Sequence, residues 1–264
     1  MENNSPVLST PIYVGTSGYK FNDWVGTFYP ADISPYGMLG EYSKHFNFLE
    51  LTYTFYKMPF LKTTQGISER IGKKTKISVR LNKVFLKGKF TDEDVITFKE
   101  GIKPLIENGQ CCAFLCDFNI KFTSCKANLE YMIKLKEVFN EVPIFFELPS
   151  CTWYKERYLD EMRQHMLGIV VLDMPSINGL APYYPIATNS NIYFRLYGKS
   201  PMWLTPESKV LKYSYSEEEL GKIIKDIEKL SIISQNVFVS FCNLENGRAP
   251  INAVMMNKLL EVAS

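Results

Sequence analysis

The sequence predicts an α/β protein built as a single (β/α)8 barrel of the TIM type. Three observations carry that class. Eight short apolar runs of strand type recur along the chain, longer segments with helical spacing separate them, and no Pro/Gly/Ser linker, repeat or low-complexity stretch divides the whole. Eight is the strand count that closes a parallel barrel, and the 264 residues match the roughly 250 that such a barrel takes. A doubly wound open sheet is disfavoured, because GTSGYKF after the first run lacks the G-x-G-x-x-G phosphate turn. Residues 1–264 read as one domain, with 1–11 as an N-terminal tail.

The strand runs are IYVGT from Ile12, FNFLEL from Phe46, KISVRL from Lys76, CAFLCDF from Cys112, VPIFFEL from Val142, GIVVLDM from Gly168, NIYFRLYG from Asn191 and NVFVSF from Asn236. Several are nearly continuous apolar runs, as expected for strands covered on both faces. Between them, TDEDVITFKEGIKPLIENG opens on a Thr91/Asp94 capping pattern and stops near Gly109. SYSEEELGKIIKDIEKL carries Ser216 and Glu219 in the capping-box arrangement, which satisfies the free amides of a first helical turn. NLEYMIKLKEVFNE and PINAVMMNKLLEVA also space their apolar residues for helices. Pro104 should kink or split its helix. The Pro-rich stretch MPSINGLAPYYP reads as a loop with at most a short helix.

Composition narrows the function classes. A net charge of +2 is too small to argue for non-specific nucleic-acid binding. The six cysteines contain no C-x-x-C pair and lack zinc-ligand spacing, so they read as reduced cytosolic thiols. MENNSPVLSTP shows no secretory pattern, and no apolar run approaches the roughly 20 residues that span a bilayer. The expected location is the cytoplasm, with no membrane partner.

In a barrel of this type the C-terminal strand ends form the active face. Glu50, Arg80, Asp117, Glu147, Asp173 and Arg195 with Tyr197 all fall late in predicted strands. A charge in an apolar strand is costly unless it is paired or faces the open end. A structural ion-pair network would account for these residues without any chemistry. The functional alternative makes Glu50 and Glu147 the candidates for proton transfer, with Arg80, Arg195 and Arg248 clamping an anion. The loop after the first strand offers Thr16, Ser17, Tyr19 and Trp24, and the loop after the fifth offers Trp153 with Tyr154, for stacking on a ring or for plain packing.

RLYGKS ends like a P-loop, but Tyr193 stands where its first glycine belongs, which excludes nucleoside triphosphate binding on that ground. Gly198, Lys199 and Ser200 can still present amides and charge to one phosphate, and NGRAP places Arg248 just before a helix. His45 and His165 fall in helical segments, so neither a histidine zinc centre nor a Ser/His/Asp triad is supported. No metal ligand set is assigned, although a carboxylate-bound Mg2+ or Mn2+ through Glu50, Glu147 and Asp173 stays open. No cofactor is indicated.

Taken in order, these segments resemble the YecE-like family, domain of unknown function 72. GTSGYKFNDWVGTFYP at Gly15–Pro30 is similar to its G-T-S-G-W/Y…W…F-Y-P opening, and LELTYTFYKMP at Leu49–Pro59 to V-E-I-N-x-T-F-Y-x-x-P with Glu50 in the acidic position. FFEL…W at Phe145–Trp153, LDMP at Leu172–Pro175, YFRLYG at Tyr193–Gly198 and NGRAPINA at Asn246–Ala253 continue the match. The resemblance implies a TIM barrel and a site at its mouth, without an established reaction. This chain departs from the pattern in several places. The family's third-strand lysine is Arg80, its T-H pair is Leu86 and Lys87, and its Arg-His after the fifth strand is Pro149 and Ser150. Its His-Gly is Tyr197 and Gly198, its Q-x-P-P falls on Asp117, Asn119 and Ile120, and its eighth-strand Asn-Asn is Cys242 and Asn243.

The expected function is binding of a small anionic ligand, phosphorylated or nucleotide-like, at the C-terminal mouth, with acid/base chemistry there. Two alternatives stand beside it: a catalytically inactive binding module, and a metal-dependent phosphoester hydrolase on nucleic acid, a partner the charge does not favour. The sequence gives no oligomeric state.

Overall fold

The computed structural model describes residues 10–200 and 213–263. Eight parallel strands follow one another around a closed barrel: β1 (Ile12–Ser17), β2 (Phe48–Leu51), β3 (Lys76–Arg80), β4 (Cys111–Asp117), β5 (Ile144–Glu147), β6 (Gly168–Asp173), β7 (Asn191–Leu196) and β8 (Asn236–Phe241). β8 pairs back onto β1, from Ile12 opposite Val237 to Thr16 opposite Phe241. Six of the expected runs contain their strands, and β1 and β4 each extend one residue beyond theirs, to Ser17 and back to Cys111. Of the expected N-terminal tail only Thr10 and Pro11 are described; residues 1–9 lie outside the described residues.

The helices are α1 (Met38–His45), α2 (Tyr53–Tyr56), α3 (Leu61–Arg70), α4 (Asp92–Glu107), α5 (Lys126–Val138), α6 (Glu156–Gln164), α7 (Glu217–Ser231) and α8 (Arg248–Ala263). α4 and α7 start with the capping boxes read from Thr91/Asp94 and Ser216/Glu219. Pro104 does not split α4. It sits in the last turn, where the bond it cannot donate is one of few remaining, and Asn108 still donates to its carbonyl at 3.2 Å. The second crossover holds both α2 and α3, whereas the sixth, 174–190, has no helix. Pro175, Pro182 and Pro185 withhold amides along it. It is tied instead to the preceding loop, by Cys151 N to Gly179 O at 3.0 Å and Ala181 N to Pro149 O at 2.8 Å.

The two-residue period of the strands sorts side chains into two layers. Ile144, Phe146, Ile192, Phe194 and Leu196 point outward and pack under the helices. Phe48, Phe145, Tyr193 and Phe238 point inward and form a floor of rings, with centroids 5.3 Å apart for Phe145–Tyr193 and 5.6 Å for Phe48–Phe238. The charged residues sit one inward step further along the same strands, above this aromatic floor.

Candidate active site at the barrel mouth

Inward parity brings Ser17, Glu50, Arg80, Asp117, Glu147 and Arg195 into one layer. Ser17 lies opposite Glu50 in the β1–β2 register, Asp117 opposite Glu147 in β4–β5, and Arg195 opposite Ser240 in β7–β8. Arg195 is the hub. Its Nη2 donates to Glu50 Oε1 at 2.9 Å, its Nη1 donates to Glu147 Oε2, and the same Nη1 lies 4.0 Å from Asp117 Oδ2. Glu50, fully buried, also accepts from Ser17 Oγ at 2.6 Å and from the Tyr193 hydroxyl at 3.0 Å. The Tyr197 hydroxyl reaches both oxygens of Glu147, at 2.8 and 3.0 Å.

Arg80 completes the layer. Its Nη2 donates to Asp117 Oδ2, and its guanidinium carbon lies 4.4 Å from the centre of the Phe55 ring. Four atoms of the cluster are buried without a partner among the described residues: Nε of Arg80 and of Arg195, Asp117 Oδ1 and the Tyr154 hydroxyl. Buried polar atoms in native proteins are rarely left unpaired unless the site has something else to bind.

Charge balance differs between Glu50 and Asp117. Burial works to raise the Glu50 carboxyl, but Arg195 and Arg80, helped by Ser17 and Tyr193, prevail and hold it below the usual carboxylate range. Burial prevails at Asp117: against the pull of Arg80 and Arg195, and with Glu147 and Glu50 adding negative charge nearby, its carboxyl is pushed up to about 6. The layer therefore holds one firmly ionised carboxylate and one that changes protonation near neutrality.

Several residues expected at the mouth lie elsewhere. Thr16 and Asp173 have outward parity, since each shares a register row with outward residues, Leu49 and Leu196 respectively. Thr16 Oγ1 donates to Gly18 O at 2.6 Å, and its amide donates to the Tyr42 hydroxyl at 2.8 Å. Asp173 accepts from the Tyr215 hydroxyl at 2.6 Å and faces Lys199 Nζ at 3.8 Å. Gly198, at φ +88°, allows the chain after β7 to pass tightly over Tyr213 and deliver Lys199 there.

Trp24 and Trp153 are fully buried in the outer layer and donate to Leu244 O and Phe122 O, both at 2.7 Å. These bonds are structural. Tyr19 packs 6.3 Å from Tyr42 beside the mouth, and Arg248 opens α8 without joining the Arg195 network. Phe55 and Tyr193 are members that the sequence reading does not place at the site, while Asp117 and Tyr154 enter it only as a charged strand end and a loop aromatic, with no role assigned. For Asp117 and Tyr193 the signal was present, because counting in twos from Arg195 and across the strands gives their direction.

The comparisons agree with this architecture. The family model described as "Protein of unknown function DUF72" matches residues 13–264. The chain belongs to that family. UPF0759 protein YunF of Bacillus subtilis (strain 168) is 25% identical over 272 residues, covering 95% of each chain. The crystal structure of a DUF72 family protein from Thermotoga maritima MSB8 superposes with a TM-score of 0.87 at 32% identity, covering 95% of this chain and 99% of that one. A DUF72 family protein from Enterococcus faecalis V583 gives 0.84 at 25% identity, with 95% of each chain covered. Among the described residues, no helix is long and apolar enough to cross a membrane.

Proposed function

We propose that this DUF72 protein is an enzyme that moves protons on a small polar molecule held at the C-terminal mouth, with Asp117 and Glu147 as the proton-handling pair. The observation that carries this reading is the Asp117 carboxyl. One oxygen is held by Arg80, the other is buried and unpartnered, and the group ionises at about 6. A general acid or base is most effective when its pKa lies near the working pH. Glu147 stands opposite it on the next strand and shares Arg195 with it, so a proton lost from one carboxyl is balanced by the same guanidinium. Glu50, anchored by three donors and fully ionised, is in this reading a positioning residue for Arg195.

The unpartnered N–H groups of Arg80 and Arg195, with Asp117 Oδ1 and the Tyr154 hydroxyl, suit a ligand rich in hydroxyl or carbonyl oxygens. A phosphate dianion in the lumen would have to displace three carboxylates from two arginines, so an anionic group on the ligand belongs outside it. The metal-dependent alternative is not carried forward. Glu50 and Glu147 are both held by Arg195, and Asp173 lies on the outer face. The six free thiols fit a reducing compartment, and we take the cytoplasm as the location.

A non-catalytic binding module is the second reading. Both Glu147 oxygens are already satisfied by Arg195 and Tyr197, as a purely structural network would have them. Mass spectrometry of small molecules released from the denatured protein separates the two. Proton-transfer chemistry predicts that the wild type releases substrate and product of one reaction, whereas Asp117→Asn releases substrate alone. A single compound released unchanged by both proteins would favour the binding module.

A further inference from the structure

Beside the mouth lies a cavity of about 370 Å3, set between the loop after β1, the start of α2 and the flank of α3. Its walls include Tyr19, Phe21 and Tyr53, and among the described residues its only charged lining residues are Lys20 and Arg70. That balance is the opposite of the lumen, where three carboxylates face two arginines.

Arg70 is held ready. Its Nε donates to Gly66 O at 2.7 Å, its Nη1 donates to Tyr36 O at 3.2 Å, and its guanidinium carbon lies 4.4 Å from the Tyr36 ring centre. Nη2 makes no bond among the described residues. Tyr53 holds its hydroxyl buried and without a partner among the described residues, and burial together with the neighbouring Tyr19 phenol pushes it up to about 12, so it stays a donor at neutral pH. Gly18, at φ +90°, turns the chain so that Phe21 closes over the same wall.

We propose that this cavity binds a planar ring carrying an anionic group. Three aromatic side chains offer faces and edges for the ring. A guanidinium with a free N–H, backed by Lys20, receives the anion, because a charge-assisted bond from a fixed fork recognises carboxylate or phosphate. The Tyr53 hydroxyl supplies a further donor. The cavity adjoins the Ser17–Glu50 end of the lumen through Gly18, whose amide donates to Glu50 O at 2.9 Å. It is nonetheless a separate site from the proton-handling pair, and its occupancy requires no turnover.

Titration calorimetry with phenyl phosphate and benzoate, against inorganic phosphate and benzyl alcohol, tests it. Both aromatic anions should bind, and inorganic phosphate and benzyl alcohol should each bind at least about tenfold more weakly, the worth of one charge-assisted contact. Arg70→Gln should weaken the aromatic anions about tenfold and leave benzyl alcohol unchanged, while Tyr53→Phe weakens the anions about threefold to tenfold. Lys20→Ala, at an exposed position, serves if Arg70→Gln does not fold, with an expected loss of about threefold. No binding of either aromatic anion, equal binding of inorganic phosphate as an adventitious ion only, or affinities indifferent to these variants would overturn the site. Asp117→Asn should titrate like the wild type. If it abolished binding, the probe would be sitting in the lumen, and the proposal would fail while the acid/base reading survived.

Discussion

Arg195 on β7 and Glu50 on β2 meet across the barrel at 2.9 Å, both almost wholly buried. The same guanidinium holds Glu147 on β5, so one cation ties three strands together above the aromatic floor. Replacing Arg195 by Ala leaves two buried carboxylates facing each other without their counter-ion. Removing one partner of a buried pair costs about 3–5 kcal/mol, and urea denaturation should register a loss of that order. The double variant Arg195→Met/Glu50→Gln should recover part of it, because it removes one of the two uncompensated charges as well as the pair. Additive losses would show that Arg195 and Glu50 do not act as a unit.

Tyr193 serves two layers at once. Its ring belongs to the floor and its hydroxyl donates to Glu50 Oε2 at 3.0 Å. Tyr193→Phe keeps the ring and removes the donor, and a hydrogen bond to a charged group is worth about 1.5–3 kcal/mol. Denaturation should show a loss in that range with the denaturant slope unchanged. A neutral substitution would mean that Ser17 and Arg195 satisfy Glu50 by themselves.

Proton linkage gives a prediction with a definite sign. The Asp117 carboxyl ionises at about 6 in the folded protein, against about 4 in an unfolded chain. Between those values the folded protein keeps a proton that the unfolded chain has released, so this group's contribution to stability falls as pH rises through the window and is level above it. Asp117→Asn lacks the group. The stability of wild type relative to the variant should therefore decline from about pH 4 to about pH 6 and then flatten. Glu50, held below its usual range, runs the other way: its contribution is present above the unfolded value and is lost as pH falls through the lower folded one. A wild type–variant difference that stays constant or rises through the window would contradict the assigned environment of Asp117.

The adjacent aromatics Trp153 and Tyr154 divide structure from site. Trp153 donates to Phe122 O from the outer layer, whereas Tyr154 packs on the lumen cluster with its hydroxyl unpartnered. Trp153→Phe should lower the melting temperature and leave ligand retention intact. Tyr154→Phe should keep the melting temperature and weaken retention. The reverse pattern would place the binding surface on the wrong side of that loop.

The strands were legible because each is covered on both faces and reads as an apolar run, and the capping boxes of α4 and α7 were legible because capping is local. The site was legible as a set of charged strand ends but not in its facing. Asp173 ends β6 as Glu147 ends β5, yet Val170, Leu172 and Met174 take the inward positions and turn Asp173 outward. Trp24 and Trp153 are buried in the outer layer, each donating to a loop distant in sequence, at Leu244 O and Phe122 O, which no local pattern encodes. The partners of Arg195 lie 145 and 48 residues away in sequence, and only closure of the barrel brings them together. Arg80, Asp117 and Tyr197 stand where the sequence departs from the family pattern it resembles; the first two lie in the charged layer and the Tyr197 hydroxyl reaches Glu147 in it.

The central claim is that Asp117 handles protons for chemistry at the mouth. Untargeted mass spectrometry of a cell-derived metabolite extract, incubated with wild type or with Asp117→Asn across pH, tests it most directly. The account predicts that the wild type depletes one hydroxyl- or carbonyl-bearing compound with a rate that changes through about pH 6, while Asp117→Asn, folded and able to bind, leaves that compound untouched. Equal depletion by both proteins would contradict it.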